Sequence, residues 1–250
     1  MEVHHHPNTE KKKFKEYFLE FLMIFLAVTL GFLAENIREN ISERAKEKEY
    51  IKGFINNLKV DTSNLKVVIK ENKRRIGGID SLLKMAHMDF SIAANRKLFY
   101  TYSRQNLLNV NFFKSDDVTL TQLRNSGGYR LIQKGSASDS IVKYDQSSTD
   151  VYGQETVYRR GINYTEEALF ELIDMTTLVD TAYYRNKIFT DKELPAISSD
   201  PQKLKSFFNK TVFVRGVINN YTDKLSVKLD FAEKLISFLR KIYNLKMDKD

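Results

Sequence analysis

The chain has 250 residues, of which 42% are hydrophobic and 12% aromatic, so its composition excludes an intrinsically disordered protein. It contains no cysteine, which excludes disulfide bonds, thiolate metal sites, iron–sulfur clusters and cysteine nucleophiles. The net charge is +8, but the lysines are spread along the chain instead of forming one basic patch, and we therefore expect no nucleic-acid partner.

Helix-breaking residues are scarce. The three prolines are Pro7, Pro195 and Pro201, which leaves a long interval in which helices can run without interruption. Ten glycines are too few for a sandwich or barrel rich in tight turns. We therefore predict an all-α fold.

An apolar segment lies close to the N-terminus. The 14 residues from Phe21 to Ala34 carry no charge, and in the 18 residues from Tyr17 onwards Glu20 is the only charged one. A membrane-spanning helix needs about 20 mostly apolar residues, and interfacial aromatic residues and flanking lysines extend this segment to that length. We predict a cytoplasmic basic tail at 1–15, a transmembrane signal anchor at 16–35 and an extracytoplasmic helical-bundle domain at 36–250.

Three other interpretations of this segment are open. A cleaved signal peptide would need a small-x-small cleavage site, but Phe32 stands at the −3 position before Ala34. A buried helix of a soluble domain is a second interpretation. An interfacial helix is the third, although the segment has no polar face. The lysines of the tail favour a cytoplasmic N-terminus, while the basic residues that follow the segment make the count nearly even on its two sides.

Three residues of the segment are candidates for a functional role. Ala27 and Gly31 are spaced so that two helices can approach closely, although small residues are common in such segments without any role. Glu20 is an ionisable residue near the predicted cytoplasmic boundary, where it either serves a function or reaches back to water.

Beyond the anchor, apolar residues recur at alternating spacings of three and four, which is typical of helices that pack through one face. The first such seam includes Ile37 and Ile41 and then Ile51, Ile55, Leu58, Thr62, Leu65, Ile69, Asn72, Ile76, Ile79, Leu83 and Ala86. The second includes Ile141, Tyr144, Ser148, Val151, Glu155, Tyr158, Ile162, Thr165, Leu169, Leu172, Thr176, Val179 and Tyr183. The third includes Leu204, Phe207, Thr211, Val214, Ile218, Tyr221, Leu225, Lys228, Ala232, Leu235, Leu239 and Ile242.

These seams predict an elongated antiparallel bundle of about three long helices with a short helical insert at about 90–137. Asp200-Pro201 predicts the start of the third helix, although residues 211–231 also fit a β-hairpin. Inside the insert, Asn95–Asn106 suits a helix. Ser115-Asp116 resembles an N-terminal cap before a second helix, and Ser126-Gly127-Gly128 is typical of the end of that helix. Either Ser136 or Ser138 can cap the start of the next long helix.

No set of residues indicates catalysis, so we expect a protein that is not an enzyme and has no cofactor. His4, His5 and His6 can bind a metal ion only loosely, because nothing fixes them, and His87 has no visible acid or nucleophile partner. No Gly-x-Ser-x-Gly motif or phosphate-binding glycine loop is present. The seam tyrosines Tyr144, Tyr158, Tyr183 and Tyr221 either pack between helices or line a ligand cleft.

Two stretches support a family resemblance. The start Met1–Pro7, followed by Glu16–Phe32, resembles an uncharacterised family of single-span membrane proteins from Bacteroidota, and Leu123–Ile132 is similar to a second pattern of that family. The resemblance implies that the histidines are native and that the far side of the membrane is the periplasm of a Gram-negative cell. It transfers no functional residue.

The expected function is therefore that of a non-enzymatic scaffold or accessory subunit in the bacterial inner membrane. Its expected partners are membrane lipid and either other envelope proteins or further copies of the chain, with no identified small molecule. The alternative is a periplasmic small-molecule sensor that acts through a partner, and a third possibility is an enzyme.

Overall fold

The computed structural model describes residues 13–108, 110–174 and 194–246, and within these ranges every regular element is a helix. The α-helices are α1 (Phe14–Leu83), α2 (Ala93–Leu107), α3 (Val118–Asn125), α4 (Gly135–Phe170) and α5 (Pro201–Ile242), and a 3-10 helix spans Gly128–Leu131. The all-α prediction is confirmed. The chain divides into two compact units, Met1–Tyr50 and Ile51–Asp250, and helix α1 contributes to both.

In the first unit, the described part is the N-terminal portion of α1. An 18-residue window of this portion has a mean hydropathy of 2.1, and none of it is buried. From Phe14 to Leu33 every large apolar side chain except Leu22 is exposed. Thr29 donates its hydroxyl to the Phe25 carbonyl at 2.8 Å, which satisfies that polar group inside the helix. By length and composition, α1 can therefore cross a membrane.

The second unit is a bundle of α4, α5 and residues 51–83 of α1. Helices α4 and α5 are antiparallel, since Tyr144 lies beside Lys228 while Thr165 lies beside Lys210. Residues 51–83 of α1 are antiparallel to α5, since Lys66 pairs with Glu233 while Asp80 pairs with Arg215. They therefore run parallel to α4. The prediction of an antiparallel bundle is therefore confirmed for α5 against the other two helices and is wrong for the pair α1 and α4, because the insert lies between them in the chain.

The three seams form the core of this bundle. The fully buried seam residues include Ile51, Leu58, Leu65 and Ile79 on α1, Ile141 and Tyr158 on α4, and Phe207, Val214, Ile218, Tyr221, Leu225, Ala232 and Leu239 on α5. Thr176, Val179 and Tyr183 lie outside the described residues. The periodicity thus predicted the buried faces because an unbroken three-four spacing keeps one face of a helix turned towards its neighbours.

Residues 211–231 are helical, so the hairpin alternative is wrong. Helix α5 begins where Asp200-Pro201 predicts, with the Asp200 Oδ1 accepting a hydrogen bond from the Gln202 N–H at 2.8 Å. The β-branched residues of this stretch lower helix propensity only slightly, and burial of residues such as Thr211 and Val214 outweighs that cost.

The insert contains α2, α3 and the 3-10 helix. Helix α3 ends as predicted, since Gly127 adopts a left-handed conformation with φ of 63° just after it. The predicted caps are wrong. Neither Asp117, at the start of α3, nor Lys134, at the start of α4, makes a side-chain capping bond, and α4 already begins at Gly135, before both serines proposed to cap it.

Helix α1 supplies hydrogen bonds at the ends of two helices of the insert. The Asn57 Oδ1 accepts a hydrogen bond from the Thr119 N–H at 3.1 Å, at the start of α3. At the end of α2, the Arg75 guanidinium donates to the Asn106 carbonyl at 2.8 Å. Both bonds satisfy backbone groups that a helix leaves open at its ends, and they fix the insert to residues far away in sequence.

Candidate functional site

Most residues singled out in the sequence do not come together in a site. His4, His5 and His6 lie outside the described residues, and His87 is exposed. Among the residues that the structure describes, no group of three or more histidine, aspartate or glutamate side chains could hold a metal ion. Ala27 and Gly31 are exposed on α1, and Glu20 is partly exposed.

Three of the four seam tyrosines are in the core of the bundle, and the fourth, Tyr183, lies outside the described residues. Tyr158 and Tyr221 pack with their ring centroids 5.6 Å apart, and Phe112 of the insert packs edge-on against both. The Tyr221 hydroxyl accepts a hydrogen bond from the Phe113 N–H at 3.1 Å. These two tyrosines therefore pack helices together and hold the insert.

Tyr144 belongs to a group of buried and half-buried polar residues that crosses the bundle, which we name the polar layer. The polar layer consists of Asp61, Ser115, Tyr144, Ser147, Ser148 and Lys228. Its members come from α1, the insert, α4 and α5, so it connects all the parts of the bundle.

Lys228 is the cationic member of the polar layer and is only 1% exposed. Its ammonium group donates to the Ser148 Oγ at 2.8 Å, the Ser147 Oγ at 3.1 Å and the Tyr144 carbonyl at 3.4 Å. It also lies 3.8 Å from the centre of the Tyr144 ring, within range of a cation–π interaction. All three ammonium protons therefore have partners, which is what makes a buried lysine tolerable.

Asp61 is the anionic member and is also 1% exposed. Its Oδ2 accepts hydrogen bonds from the Tyr144 hydroxyl at 2.7 Å and the Ser115 hydroxyl at 2.8 Å, and its Oδ1 accepts one from the Asp116 N–H at 2.7 Å. Tyr144 thus stands between the two charges, with its hydroxyl on the carboxylate and its ring against the ammonium.

Burial shifts the pKa of every titratable member of the polar layer. It lowers the pKa of Lys228 to about 8, although the negative charges of Asp61 and Asp145 oppose the shift. It raises the pKa of Asp61, against the effect of the hydrogen bonds that this carboxylate accepts. The pKa of the Tyr144 hydroxyl is raised by burial and by the adjacent Asp61 carboxylate.

Two clefts lie on either side of the polar layer. The first, of about 430 Å³, lies between α4 and α5 and is lined by Ser147, Asp150, Val151, Gln154, Asn220, Asp223, Lys224, Val227, Lys228 and Phe231. The second, of about 290 Å³, lies between α3 and α4 and is lined by Ser115, Asp117, Leu120, Arg124, Asp145, Gln146, Ser148, Thr149 and Tyr152. Ser147 lines the first and Ser148 the second, so Lys228 bonds one serine from each cleft.

A lysine with a lowered pKa beside two serines could suggest a serine nucleophile with a lysine base. The surroundings do not complete that chemistry. Ser147 and Ser148 lie inside α4, where the backbone N–H groups are bonded within the helix, so neither serine has the pair of free N–H donors that an oxyanion hole requires. The Ser147 hydroxyl also donates to the Tyr144 carbonyl at 2.6 Å. The arrangement is that of a charge-balanced structural layer next to two clefts.

Sequence reasoning had identified three of these residues only as seam positions. These residues are Tyr144 and Ser148 of the second seam and Lys228 of the third. A lysine at a position that is otherwise apolar is the signal in the sequence that indicates a buried ion. Asp61 flanks its seam and gave no such signal. No protein-family model matches this chain, and no curated protein or solved structure matches it either.

Proposed function

We propose that this chain is a non-enzymatic, single-pass inner-membrane protein whose helical domain at 36–250 binds other proteins of the bacterial envelope. The observation that carries the proposal is the exposed apolar portion of α1 between Phe14 and Leu33. Leaving such side chains in water forgoes about 1.5–3 kcal/mol for each large residue, and a lipid bilayer removes that cost.

The topology follows from the ends of the apolar segment. The lysines of the tail lie directly before the segment and favour a cytoplasmic N-terminus, although the count of basic residues is nearly even on its two sides. The resemblance to a Bacteroidota family supports a periplasmic location for the domain. A domain without cysteine is suited to that oxidising compartment because it has no thiol to oxidise.

The bundle supports binding over catalysis. The buried charges of Asp61 and Lys228 have hydrogen-bond partners within the polar layer, so both groups stabilise the fold and neither is directed at a substrate. Several large apolar side chains are exposed on α4 and α5, among them Tyr164, Phe213 and Val227. Exposed aromatic and aliphatic residues on helices are typical of surfaces that contact other proteins.

Cysteine labelling tests the topology, because the native chain offers no cysteine to confuse the result. In intact spheroplasts, a membrane-impermeant maleimide should label a Ser199→Cys variant but should label a Thr9→Cys variant only after the membrane is permeabilised. Labelling of both variants, or of neither, in intact cells would contradict the proposal.

Crosslinking in native membranes, followed by purification of the chain and identification of the adducts, tests the binding function. Discrete adducts of reproducible mass are expected, and they should disappear when the domain is unfolded by Leu65→Asp, which places a carboxylate in the core. A chain that stays monomeric and free of adducts would contradict a scaffold function.

A periplasmic small-molecule sensor is the second candidate, favoured by the cleft of about 430 Å³ between α4 and α5. If it is correct, a compound from a periplasmic extract should raise the Tm of the protein. Filling the cleft by Gln154→Trp should abolish that increase, whereas a substitution outside the cleft, Lys66→Gln, should leave it unchanged. Absence of any such compound would favour the scaffold.

A further inference from the structure

The second cleft, between α3 and α4, is lined by two hydroxyl groups that also belong to the polar layer, those of Ser115 and Ser148. Both serines are half-buried, because each bonds a buried charge of the layer and also lines the cleft. The charges of Lys228 and Asp61 therefore lie directly behind the wall of this cleft and fix how the two hydroxyls are oriented.

The two hydroxyls are oriented in opposite senses. The Lys228 ammonium can only donate, so the Ser148 oxygen accepts from it at 2.8 Å and the Ser148 proton is available to an acceptor in the cleft. The Asp61 carboxylate can only accept, so the Ser115 hydroxyl donates to it at 2.8 Å and keeps its lone pairs for a donor in the cleft. One donor and one acceptor on the same wall are complementary to hydroxyl groups, since a hydroxyl both accepts and donates.

The charges around the cleft favour a ligand without net charge. The Arg124 guanidinium lies 3.2 Å from the Asp145 carboxylate and 3.9 Å from the Asp117 carboxylate. An anion would meet two carboxylates and a guanidinium that is already paired, whereas a cation would meet that guanidinium and the ammonium of Lys228 behind Ser148. Either ligand would therefore be placed beside a like charge, which is costly.

The remaining lining residues and the volume of the cleft define the ligand further. Gln146 and Thr149 add an amide and another hydroxyl, while Tyr152 and Leu120 supply apolar surface. The volume of about 290 Å³ equals that of roughly ten water molecules in the liquid. The cleft is thus suited to a small molecule that has several hydroxyl groups and one face of carbon atoms.

We propose that the second cleft binds an uncharged polyhydroxyl compound of the size of a single sugar ring. Hydroxyl groups of the ligand accept from Ser148 and donate to Ser115, and its carbon face lies against Tyr152 and Leu120. The polar layer has a second role in this account, because its buried charges hold both serines in the orientation that the ligand needs. The inference is independent of membrane insertion, and it concerns a different cleft from the one that favours the sensor candidate.

The test is saturation-transfer NMR on the full chain in a detergent without a sugar head group, with D-ribose, D-glucose and myo-inositol as probes at millimolar concentration. At least one probe should bind saturably, whereas acetate and ethylamine should not. Ser148→Ala should weaken binding about ten-fold, because the ligand loses a hydrogen bond. Ser147→Ala is the matched control, since Ser147 also bonds Lys228 but lines the other cleft, and it should leave binding unchanged.

A second variant tests the site without altering the polar layer. Gln146→Trp, at an exposed position of the wall, fills the cleft and should abolish binding, whereas Gln154→Trp in the other cleft should not. Absence of binding by all three sugars and polyols would overturn the proposal. It would also be overturned if the two serine variants weakened binding equally, because the effect would then come from the polar layer and not from contact with the ligand.

Discussion

Two stretches of one helix, residues 14–41 and 51–83 of α1, both contain residues of the first predicted seam and differ in what surrounds them. Ile51, Leu58 and Leu65 have no exposed surface, whereas Ile37 and Ile41 are more than half exposed. Periodicity therefore predicts which face of a helix is apolar, but it does not predict whether that face contacts protein, lipid or water. The residues on the other faces of the helix indicate which of these surrounds it. Lysines cover the outer side of the bundle stretch, while large apolar residues surround the whole helix before Ala34.

The largest expected difference between the two stretches concerns their carboxylates. Asp61→Ala removes the acceptor of three hydrogen bonds and leaves Lys228 buried without its balancing charge. We expect it to lower the free energy of unfolding by about 3–5 kcal/mol. Urea unfolding of the full chain in detergent micelles, followed by circular dichroism, measures this. Glu39→Ala is the control, and a similar loss in that variant would show that the polar layer has no special role.

The second comparison is between leucines on the two stretches. Leu65→Ala opens a cavity in the bundle core and should cost about 2–5 kcal/mol in the same unfolding experiment. Leu30→Ala, on the exposed apolar stretch, should leave the unfolding of the bundle unchanged. If both substitutions destabilised the domain equally, the two stretches would not be separate in the way that their exposure indicates.

The third prediction concerns a pH dependence of the bundle in which the buried stretch lies, and it comes from Lys228 of α5. The pKa of Lys228 is lowered from 10.5 to about 8, so between these pH values the unfolded chain holds a proton that the folded chain has released. The free energy of unfolding should therefore rise with pH across this window, by at most about 3 kcal/mol. Lys228→Met should remove this rise, and a pH profile shared by the variant and the native chain would contradict it.

The smallest effects are expected at two adjacent glycines of α1. An added Cβ at Gly78 would lie 2.1 Å from the Asn106 Oδ1, whereas one at Gly77 would meet nothing within 4 Å. We expect Gly78→Ala to destabilise the domain by about 1–3 kcal/mol and Gly77→Ala to stabilise it by about 0.5–1 kcal/mol. Thermal unfolding of the two variants side by side measures the contrast, and the reverse order would mean that α2 does not pack here.

The sequence predicted the parts of the fold that depend on one helix at a time. The three seams follow from local spacing, and their residues form the core of the bundle. The start of α5 follows from a capping bond between Asp200 and Gln202, two residues apart, and the structure contains this bond. The predicted cap of α4 failed because this helix begins at Gly135, before both serines. The predicted cap of α3 failed because the bonds around the start of α3 come from Asn57 and Asp61, more than fifty residues away. Local motifs contain no information about such partners.

The polar layer could be predicted only in part for the same reason. A lysine at a seam position, Lys228, signals a buried cation that needs partners. Its partners come from α4, and the balancing carboxylate of Asp61 comes from α1, so the layer depends on which helices are neighbours. The unexpected parallel arrangement of α1 and α4 decides this, because it brings Asp61 to the level of Tyr144.

The central claim is that the apolar portion of α1 lies in a lipid bilayer, and alkaline carbonate extraction of native membranes, followed by mass analysis, tests it most directly. The account predicts that the chain, with its residues up to Ala34 still attached, stays in the membrane pellet, and that Leu26→Arg with Leu30→Arg releases it. A native chain recovered in the soluble fraction, either intact or with those residues removed, would contradict the account.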